Sequence, residues 1–400
     1  MVRAELVPDR GDRRRVAVTG LGVVSCCGTG KDVFFAGLNG PAPEGEHRVR
    51  GFDPSSWFDA KEVRRADPFA QFAVAAALLA LEDAGPLDVD PALAGVQIGT
   101  GVGGLTTIEQ QIGVLLEKGP RRVSPFLVPM MMANAGAALV SMRLGWRGPC
   151  ETIATACASG THSLLAGHRL IASGRCDVVL AGGAEAAMTP VALATFGNMT
   201  ALSTSGQSRP FDVRRDGFVI AEGGAVLVLE ELERANRRGG HIYAELLGGA
   251  SSADAYHITA PAPGGAGAIG CIELALEDAG ITAAEVAHVN AHGTSTPLND
   301  LAEAEALDKI FGRPGPPVTS IKGVTGHSLG AAGAIEGVAC ALSIDRRVIP
   351  PTIGLEQQDP EIHLDIVRDT PREWEPGPVL SNSFGFGGHN GCIVLAPVTT

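Results

Sequence analysis

The sequence predicts an α/β protein that is built in layers from two similar halves. The hexapeptide ALEDAG occurs at residues 80–85 and again at 275–280, and each copy closes an alanine-rich helical stretch. Each copy is followed by a short loop and a strand-like run, GVQIGTG in the first and VAHVNAHGT in the second. This shared order of helix, loop and strand indicates a duplicated fold whose halves, residues 14–250 and 251–400, divide near residue 250.

The remaining elements fit the same architecture. Further strands are predicted for the runs RVAVTGLG, CDVVLAGGAEA, GAVLVLEEL, PVTSIKG and NGCIVLAPV. Most of these runs are continuously apolar, as expected when helices cover both faces of a sheet. The helical stretches THSLLAGHRLIAS and AAGAIEGVACALSI are also almost entirely apolar, so we expect them to be buried between layers. Residues 1–13 are polar and are expected to form a poorly ordered tail.

Composition argues against several functional classes. The formal net charge of the 400 residues is -13, which disfavours a general nucleic-acid-binding protein. None of the eight cysteines forms a C-x-x-C pair, so no zinc or thioredoxin-like motif is indicated and no metal is expected. No apolar run has the length of a signal peptide core or a membrane span. Free thiols in this context predict a cytoplasmic protein that binds neither nucleic acid nor membrane.

Cys157 is the strongest candidate for a nucleophile. In RGPCETIATACASG, a predicted strand, ETIATA, delivers this thiol to the first turn of a helix. Exposed N–H groups and the helix dipole at that place are expected to lower the pKa of the thiol. The small neighbouring side chains leave room for a bulky acyl group, and the N–H groups of the turn can bind an oxyanion. The alternative, a core cysteine beside a tight turn, describes Cys176, Cys271 and Cys340 better.

Two histidines and a lysine lie in similar surroundings. His292 lies in VNAHGTSTPLND at the end of an apolar strand, and His327 lies in SIKGVTGHSLGAAGA at the head of a buried helix, five residues after Lys322. A single histidine in such a place is more often structural than catalytic. The occurrence of two, both beside Gly/Thr-rich turns, favours a shared site with Cys157. His162, His168, His241 and His363 are interpreted as structural or surface residues.

Two other glycine-rich motifs are weaker candidates. GLGVVSCCG follows the strand RVAVT like a dinucleotide-binding fingerprint, but Ser25 replaces the third glycine and the acidic residue expected about 20 positions later is missing. GHSLG at residues 326–330 matches the G-x-S-x-G pattern of serine hydrolases, with Asp365 and His389 downstream as possible partners. However, Ser328 follows the loop KGVTG rather than a tight turn between a strand and a helix.

Four motifs together resemble those of the β-ketoacyl-acyl carrier protein synthases, close to the type II elongating condensing enzymes. These motifs are TACASG, NAHGTSTPLND, SIKGVTGHSLGAAG and NSFGFGGHN, and the resemblance extends from about residue 14 to 396. It implies the thiolase fold, with two βαβαβαββ halves in a five-layered α/β/α/β/α sandwich. It also implies a homodimer that forms by pairing strands across a two-fold axis.

The resemblance implies a decarboxylative Claisen condensation. Cys157 would take an acyl chain from acyl carrier protein as a thioester, and malonyl carrier protein would then lose carbon dioxide and attack that thioester. His292 and His327, as neutral imidazoles, would donate hydrogen bonds to the enolate oxygen. The N–H groups of Cys157 and Phe386 would form the oxyanion hole for acyl transfer. No cofactor is expected, because phosphopantetheine arrives on the carrier protein.

The resemblance assigns supporting roles to further residues. Lys322 would order the site by pairing with Glu303, Asp300 would brace the same loop, and Phe384 and Phe386 would form a gate over Cys157. Substrate contacts are implied for Ile108, in the acyl-chain pocket, and for Thr294 and Thr296. Because the carrier protein is acidic, a basic docking surface is expected from the runs DAKEVRRADPF and EKGPRRVSPF and from one nearby arginine, comprising Lys61, Arg64, Arg65, Lys118, Arg121, Arg122 and Arg209.

The sequence leaves related functions open. A ketosynthase of a polyketide or other secondary pathway would use the same chemistry on a different chain. A non-catalytic chain-length partner would lack the nucleophile, so Cys157 argues against it. A degradative thiolase would need a second catalytic cysteine near the C-terminus and would lack the histidine of NAHGT. Two departures from the resemblance concern the site: His389 stands where many relatives have threonine, and LSTSGQSRPFD is a few residues shorter than usual.

Overall fold

The computed structural model describes residues 13–43 and 46–399, so the predicted tail lies outside the described residues except for Arg13, which pairs with Asp278 at 2.8 Å. The strands are β1 (Val16–Ser25), β2 (Gly28–Thr29), β3 (Ala94–Gly99), β4 (Cys150–Glu151), β5 (Val178–Glu185), β6 (Gly223–Glu231), β7 (Ala244–Ala253), β8 (His288–Asn290), β9 (Val318–Thr319), β10 (Val348–Ile349), β11 (Arg372–Glu373), β12 (Val379–Gly385) and β13 (His389–Ala396). The helices are α1 (Lys31–Leu38), α2 (Ala60–Val63), α3 (Pro68–Ala84), α4 (Leu105–Lys118), α5 (Leu127–Met131), α6 (Ala135–Leu144), α7 (Ser159–Ala172), α8 (Pro190–Asn198), α9 (Leu232–Arg237), α10 (Ala266–Ala279), α11 (Pro297–Phe311), α12 (Lys322–Thr325) and α13 (Ala332–Arg346).

The strands form two corresponding halves of one long sheet. Its order is β4-β3-β5-β6-β1-β7-β13-β12-β8-β9, with β2 attached to β1. In the first half, β3 runs parallel to β4 and β5, while β5, β6 and β1 alternate in direction. In the second half, β8 runs parallel to β9 and β12, while β12, β13 and β7 alternate. Within the sheet, the two halves are joined by a short antiparallel pairing of β1 with β7.

Helices cover both faces of each half. Between the halves, α7 packs on β3 and β5 from one side and on β13 from the other, and α13 packs beside it against β6 and β12. The outer face of the first half is covered by α3, and that of the second half by α10, with α11 against α10. The predicted five-layered α/β sandwich with two similar halves is therefore confirmed.

The repeated hexapeptide marks equivalent helices of the two halves. ALEDAG forms the C-terminal end of α3 in the first half and of α10 in the second, and both helices end at a glycine with positive φ, Gly85 and Gly280. The boundary predicted near residue 250 lies inside β7, which pairs with β13 of the second half. The connection between the halves therefore lies earlier, between α9 and β7, because a boundary cannot separate residues of one paired strand.

Small residues allow the layers to approach closely. A methyl group on Gly22 of β1 would lie 1.9 Å from the carbonyl oxygen of Ala76 in α3, and one on Gly160 of α7 would lie 2.6 Å from the nitrogen of Ala334 in α13. Backbone atoms cannot move away as a flexible side chain could. This close packing of the layers explains why the sequence is rich in glycine and poor in aromatic residues.

Within residues 13–43 and 46–399, none of the helices combines the length and the apolar character needed to cross a bilayer.

Candidate active site

Cys157 lies on a strained turn at the start of a central helix. The preceding strand is shorter than predicted, because β4 ends at Glu151 and the chain reaches Cys157 without regular structure before a 3₁₀ turn over Ala156–Ala158. Ala156 adopts a positive φ of 49°, and Ser159 fixes the turn by accepting a hydrogen bond from the N–H of Thr155 and donating one to the carbonyl of Ala156. Helix α7 then begins at Ser159.

The two histidines are presented from the second half. His292 follows the end of β8, and its N–H donates to Glu303 at 2.8 Å. His327 lies between α12 and a 3₁₀ turn over Leu329–Ala331, which leads into α13. Because α13 is the counterpart of α7, His327 and Cys157 occupy similar places at the heads of the two central helices.

The structure brings these three side chains together. Nε2 of His327 lies 3.0 Å from Sγ of Cys157, and the rings of His292 and His327 are 5.3 Å apart at an angle of 85°. Cys157 is only 7% exposed, and both histidines are buried. All three line a cavity of about 550 Å³. A substrate thioester in this cavity would therefore meet the thiol and both imidazoles at once.

Burial dominates the electrostatics of the thiol. It raises the pKa of Cys157 to about 11, although the Lys322 ammonium and the backbone N–H groups of Phe386 and Cys157 act in the opposite direction. The lowered pKa expected from the sequence is therefore wrong. The position on a helix turn was correct, but how completely the sulfur is removed from water depends on tertiary packing.

Burial also keeps both imidazoles uncharged. The pKa values of His292 and His327 are well below the usual value of 6.5, because burial and the nearby Lys322 ammonium both disfavour a second proton. Nζ of Lys322 lies 3.4 Å from Nδ1 of His292. An ammonium group can only donate, so this contact favours the tautomer of His292 that carries its proton on Nε2. His292 is thereby set up as a neutral hydrogen-bond donor, and the backbone of Phe384 on the cavity wall provides an acceptor near its ring.

Lys322 pairs with a different carboxylate from the one expected. Its ammonium group contacts Glu336 of α13, and both side chains are almost fully buried. Glu303 instead accepts hydrogen bonds from the N–H groups of His292 and Gly293, each at 2.8 Å, and from Asn382 at 3.2 Å. The expected pairing of Lys322 with Glu303 is thus corrected: Glu303 is occupied by the backbone of the His292 loop.

Asp300 braces a neighbouring loop. It accepts the N–H of Phe211 at 2.9 Å and lies 4.0 Å from the guanidinium of Arg215. Thr294 and Thr296 line the cavity and their hydroxyl groups are 3.0 Å apart, while Thr296 also caps α11 by accepting the N–H of Asn299. These residues fix the shape of the wall beside His292.

The aromatic pair of NSFGFGGHN lies over the nucleophile. Phe384 and Phe386 both line the cavity, and the backbone N–H of Phe386 is directed at Cys157. The glycines beyond them are tied to a neighbouring segment: the N–H of Gly387 donates to Ile258 at 2.7 Å, and the carbonyl of Gly388 accepts the N–H of Asp254 at 2.8 Å. Two backbone hydrogen bonds therefore hold this loop in place.

Other residues expected at the site lie outside the cavity. Ile108 is half-buried on α4 and is not part of the cavity wall, because the wall on that side is formed by Val102, Phe196 and Leu329. Lys61, Arg64, Arg65, Lys118, Arg121 and Arg122 are exposed on α2 and around the end of α4. Arg209 is half-buried, and its N–H donates to Ser295 at 2.8 Å, beside the cavity threonines.

Two buried acidic residues near the nucleophile were not predicted from the sequence. Glu336 is the lone charged residue in the apolar stretch AAGAIEGVACALSI, which is a signal that could have identified it. Glu185 ends the apolar strand β5 and accepts the N–H groups of Gly101 and Gly330, at 2.6 and 3.1 Å. It thereby joins the turn before α13 to the loop after β3, close to the nucleophile.

Removing Glu336 is expected to destabilise the protein strongly. Glu336→Ala leaves the Lys322 ammonium buried without a counter-charge, so we expect the free energy of unfolding to fall by about 3–5 kcal/mol in chemical denaturation. The matched control is Glu375→Ala, because Glu375 forms an exposed ion pair with Arg347 and its loss should cost less than about 1 kcal/mol. Equal losses in the two variants would contradict this account of the buried pair.

Comparison with known proteins agrees with this geometry. The family descriptions "Beta-ketoacyl synthase, N-terminal domain" and "Beta-ketoacyl synthase, C-terminal domain" match residues 38–235 and 243–356. The chain is 44% identical over 407 residues to "3-oxoacyl-[acyl-carrier-protein] synthase 2" of Synechocystis sp. (strain ATCC 27184 / PCC 6803 / Kazusa), covering 95% of this chain and 97% of the relative.

Solved structures give the same result. "The ishigamide ketosynthase/chain length factor" is similar with a TM-score of 0.91 and 36% identity, covering 97% of this chain and all of that chain. A chain of the structure "AntDE:AntF (apo): type II PKS acyl-carrier protein in complex with its ketosynthase bound to the hexaketide" is similar with a TM-score of 0.89 and 34% identity, again over 97% and 100% of the two chains. With both family descriptions matched in order, this chain belongs to the β-ketoacyl synthase family.

Proposed function

We propose that this protein is a β-ketoacyl-acyl carrier protein synthase that lengthens fatty acyl chains by two carbons. The observation that carries the proposal is the meeting of the Cys157 thiol with the His292 and His327 imidazoles in one cavity. Relatives named 3-oxoacyl-[acyl-carrier-protein] synthase 2, at 44% and 43% identity over most of the chain, support the same substrate class.

The first step transfers the acyl chain to the enzyme. Sulfur of Cys157 attacks the carbonyl carbon of the acyl thioester, and the N–H groups of Cys157 and Phe386 bind the resulting oxyanion. The carrier's phosphopantetheine sulfur leaves and takes up the proton that the Cys157 thiol gives up, so the acyl group is now held on Cys157. The raised pKa of the buried thiol disfavours the free anion, and the His327 Nε2 contact at 3.0 Å orients the sulfur without being required for its attack.

The second step makes the carbon–carbon bond. When the malonyl group loses carbon dioxide, the electrons of the broken bond form an enolate, whose oxygen needs hydrogen-bond donors. Neutral His292 and His327 supply two such donors from one side of the cavity. The enolate carbon then attacks the Cys157 thioester, and the cysteine sulfur leaves. Decarboxylation itself generates the carbanion, so the chemistry calls for no cofactor beyond the phosphopantetheine on the carrier.

The product of one turnover tests this function. The purified protein, incubated with acyl carrier protein loaded with an acyl chain and with malonyl carrier protein, should give a 3-oxoacyl product that is two carbons longer by mass spectrometry. Loss of carbon dioxide without a longer product, or no reaction with any acyl chain length, would contradict the proposal.

A polyketide ketosynthase is the second candidate, favoured by the structural similarity to the ishigamide ketosynthase/chain length factor. The two candidates differ in the primer that they accept. A fatty acid enzyme should extend only fully reduced acyl chains, whereas a polyketide enzyme should also extend an unreduced 3-oxoacyl primer. Offering both primers in the same assay decides between them.

Carrier-protein docking is proposed for the basic residues of α2 and the end of α4. The guanidinium of Arg65 lies 4.1 Å from the ring centre of Phe126, so these two chain segments form one surface. Replacing Arg121 and Arg122 with glutamate should raise KM for acyl carrier protein about tenfold or more by reversing the local charge. KM for the same acyl group on free pantetheine should not change, and an equal rise in both would contradict docking at this surface.

A homodimer is proposed through the sheet edge formed by β4. Helix α6 packs against β4, and α4, α5 and α6 expose apolar side chains that include Ile112, Leu116, Val128 and Met142, which are 51–80% exposed. A free sheet edge beside such a surface is unusual in a monomer. Light scattering should give twice the chain mass of 41.0 kDa, and a mass of one chain would refute the proposal.

A further inference from the structure

The three side chains at the centre of the cavity also form a set of metal ligands. Sγ of Cys157 and one ring nitrogen from each of His292 and His327 all lie within 4.8 Å of one another. In the described part of the chain, no other three histidine, cysteine or acidic residues come together in this way. All three residues are buried, and all three face the cavity, which leaves room for a water molecule as a fourth ligand.

The separations suit a tetrahedral ion. Zinc–sulfur and zinc–nitrogen bonds of about 2.3 and 2.0–2.1 Å place the sulfur about 3.5 Å from each nitrogen, and the two nitrogens about 3.3 Å apart. The sulfur and Nε2 of His327 are already 3.0 Å apart, and the remaining separations exceed the ideal by at most about 1.5 Å. Small side-chain rotations would therefore complete the site.

We propose that Cys157, His292 and His327 form a latent site for a borderline-soft divalent cation such as Zn²⁺, and that Lys322 opposes its occupation. On binding, the Cys157 thiol releases its proton to solvent, its sulfur bonds to the metal, and each imidazole donates one lone pair. The occupied site has no free nucleophile and no free hydrogen-bond donor. The cation would thus be a reversible inhibitor, a property that goes beyond the proposed condensation.

Lys322 opposes the metal in two ways. Its ammonium group is not part of the cavity wall but acts electrostatically on all three ligands, so it repels a second cation between them. It also occupies the space at Nδ1 of His292, at 3.4 Å. A histidine that binds a metal through Nε2 carries its proton on Nδ1 and donates it to an acceptor. Because Lys322 offers a donor there, it favours the opposite tautomer, which suits an enolate and not a metal.

Direct metal binding tests the ligand set without any carrier substrate. Equilibrium dialysis against Zn²⁺ should give one ion per chain, and Cys157→Ser should weaken this binding about tenfold or more. Zinc should also protect Cys157 from alkylation by iodoacetamide, as measured by peptide mass spectrometry, and a chelator should restore alkylation. The control is Cys26→Ser/Cys27→Ser, because these adjacent thiols, 4.0 Å apart, are another place where zinc could bind.

The role of Lys322 is tested by removing its charge. Lys322→Met should bind Zn²⁺ about tenfold more tightly than the unchanged protein. The double variant Lys322→Met/Glu336→Gln removes both buried charges and should show the same gain in zinc affinity. An equal gain would show that it comes from the loss of the ammonium group, and not from the Glu336 carboxylate that Lys322→Met leaves without a partner. Zinc binding that survives Cys157→Ser, that disappears in Cys26→Ser/Cys27→Ser, or that is not tighter without Lys322 would overturn the proposal. None of these readouts depends on condensation, so failure of the proposed function would be recognised separately.

Discussion

Replacing Cys157 with alanine is expected to abolish formation of the acyl-enzyme and to lower the rate of condensation by about 10³-fold or more. The sulfur lies on the cavity wall beside the N–H groups that would bind the oxyanion, so its removal takes away the atom that is placed to form the thioester. The measurement is incubation with radiolabelled acyl carrier protein, followed by peptide mapping of the label.

The same variant should still release carbon dioxide from malonyl carrier protein. In the proposed mechanism the two imidazoles promote decarboxylation, and the rings of Phe218 and His292 still pack against His327 when the Cys157 side chain is removed. Cys150→Ala provides the control, because Cys150 is exposed on β4 and outside the cavity. Label that persists in Cys157→Ala, or that disappears equally in Cys150→Ala, would remove Cys157 as the nucleophile.

His292→Ala and His327→Ala are each expected to show the converse pattern. They should accept the acyl group on Cys157 but release carbon dioxide from malonyl carrier protein about 10²–10³-fold more slowly. Each variant lacks one of two donors to the enolate oxygen, and removing one oxyanion-hole donor typically costs this much. Release of labelled carbon dioxide, measured beside acyl labelling on the same preparations, separates the two steps.

His241→Ala is the matched control for this pair. His241 is an exposed histidine that contacts Asp345 on the surface, far from the cavity wall. Undiminished carbon dioxide release in both cavity variants would contradict the donor role, as would an equal loss in His241→Ala. If the variants lose both acyl labelling and carbon dioxide release, the imidazoles act in the first step.

Much of the fold was available from the sequence because the hydrophobic pattern is strong. The strands are continuously apolar and the central helices are nearly all apolar, so they can be buried only in layers that are covered on both sides. The ALEDAG repeat shows that this pattern occurs twice. The predictions for local structure were less accurate where the chain leaves a sheet. ETIATA was expected to be a strand, but only Cys150–Glu151 pair there, because the rest of the run turns away toward the head of α7.

The candidate site was likewise only partly predictable from the sequence. Cys157, His292, His327 and Lys322 could be selected from their motifs, since each stands beside Gly- and Thr-rich turns at the end of a regular element. The partner of Lys322 was not predicted, because the resemblance pointed to Glu303, whereas the fold of α12 and α13 places Lys322 against Glu336, 14 residues later. Ile108 was assigned from the resemblance alone, and its helix does not contribute to the wall of the cavity in the single chain.

The sequence by itself determined the two-fold repetition of this protein, the order of its elements and the side chains able to perform condensation chemistry. The tertiary structure alone decided how those side chains are charged and paired, which groups are removed from water, and which atoms lie in contact. The reason is physical: periodicity and turn residues act over a few neighbours along the chain. The pKa of Cys157 depends on Lys322 and Phe386, which belong to the other half of the protein. The tautomer of His292 and the counter-ion of Lys322 depend on side chains 30 and 14 residues away, which the folding of the second half brings into contact.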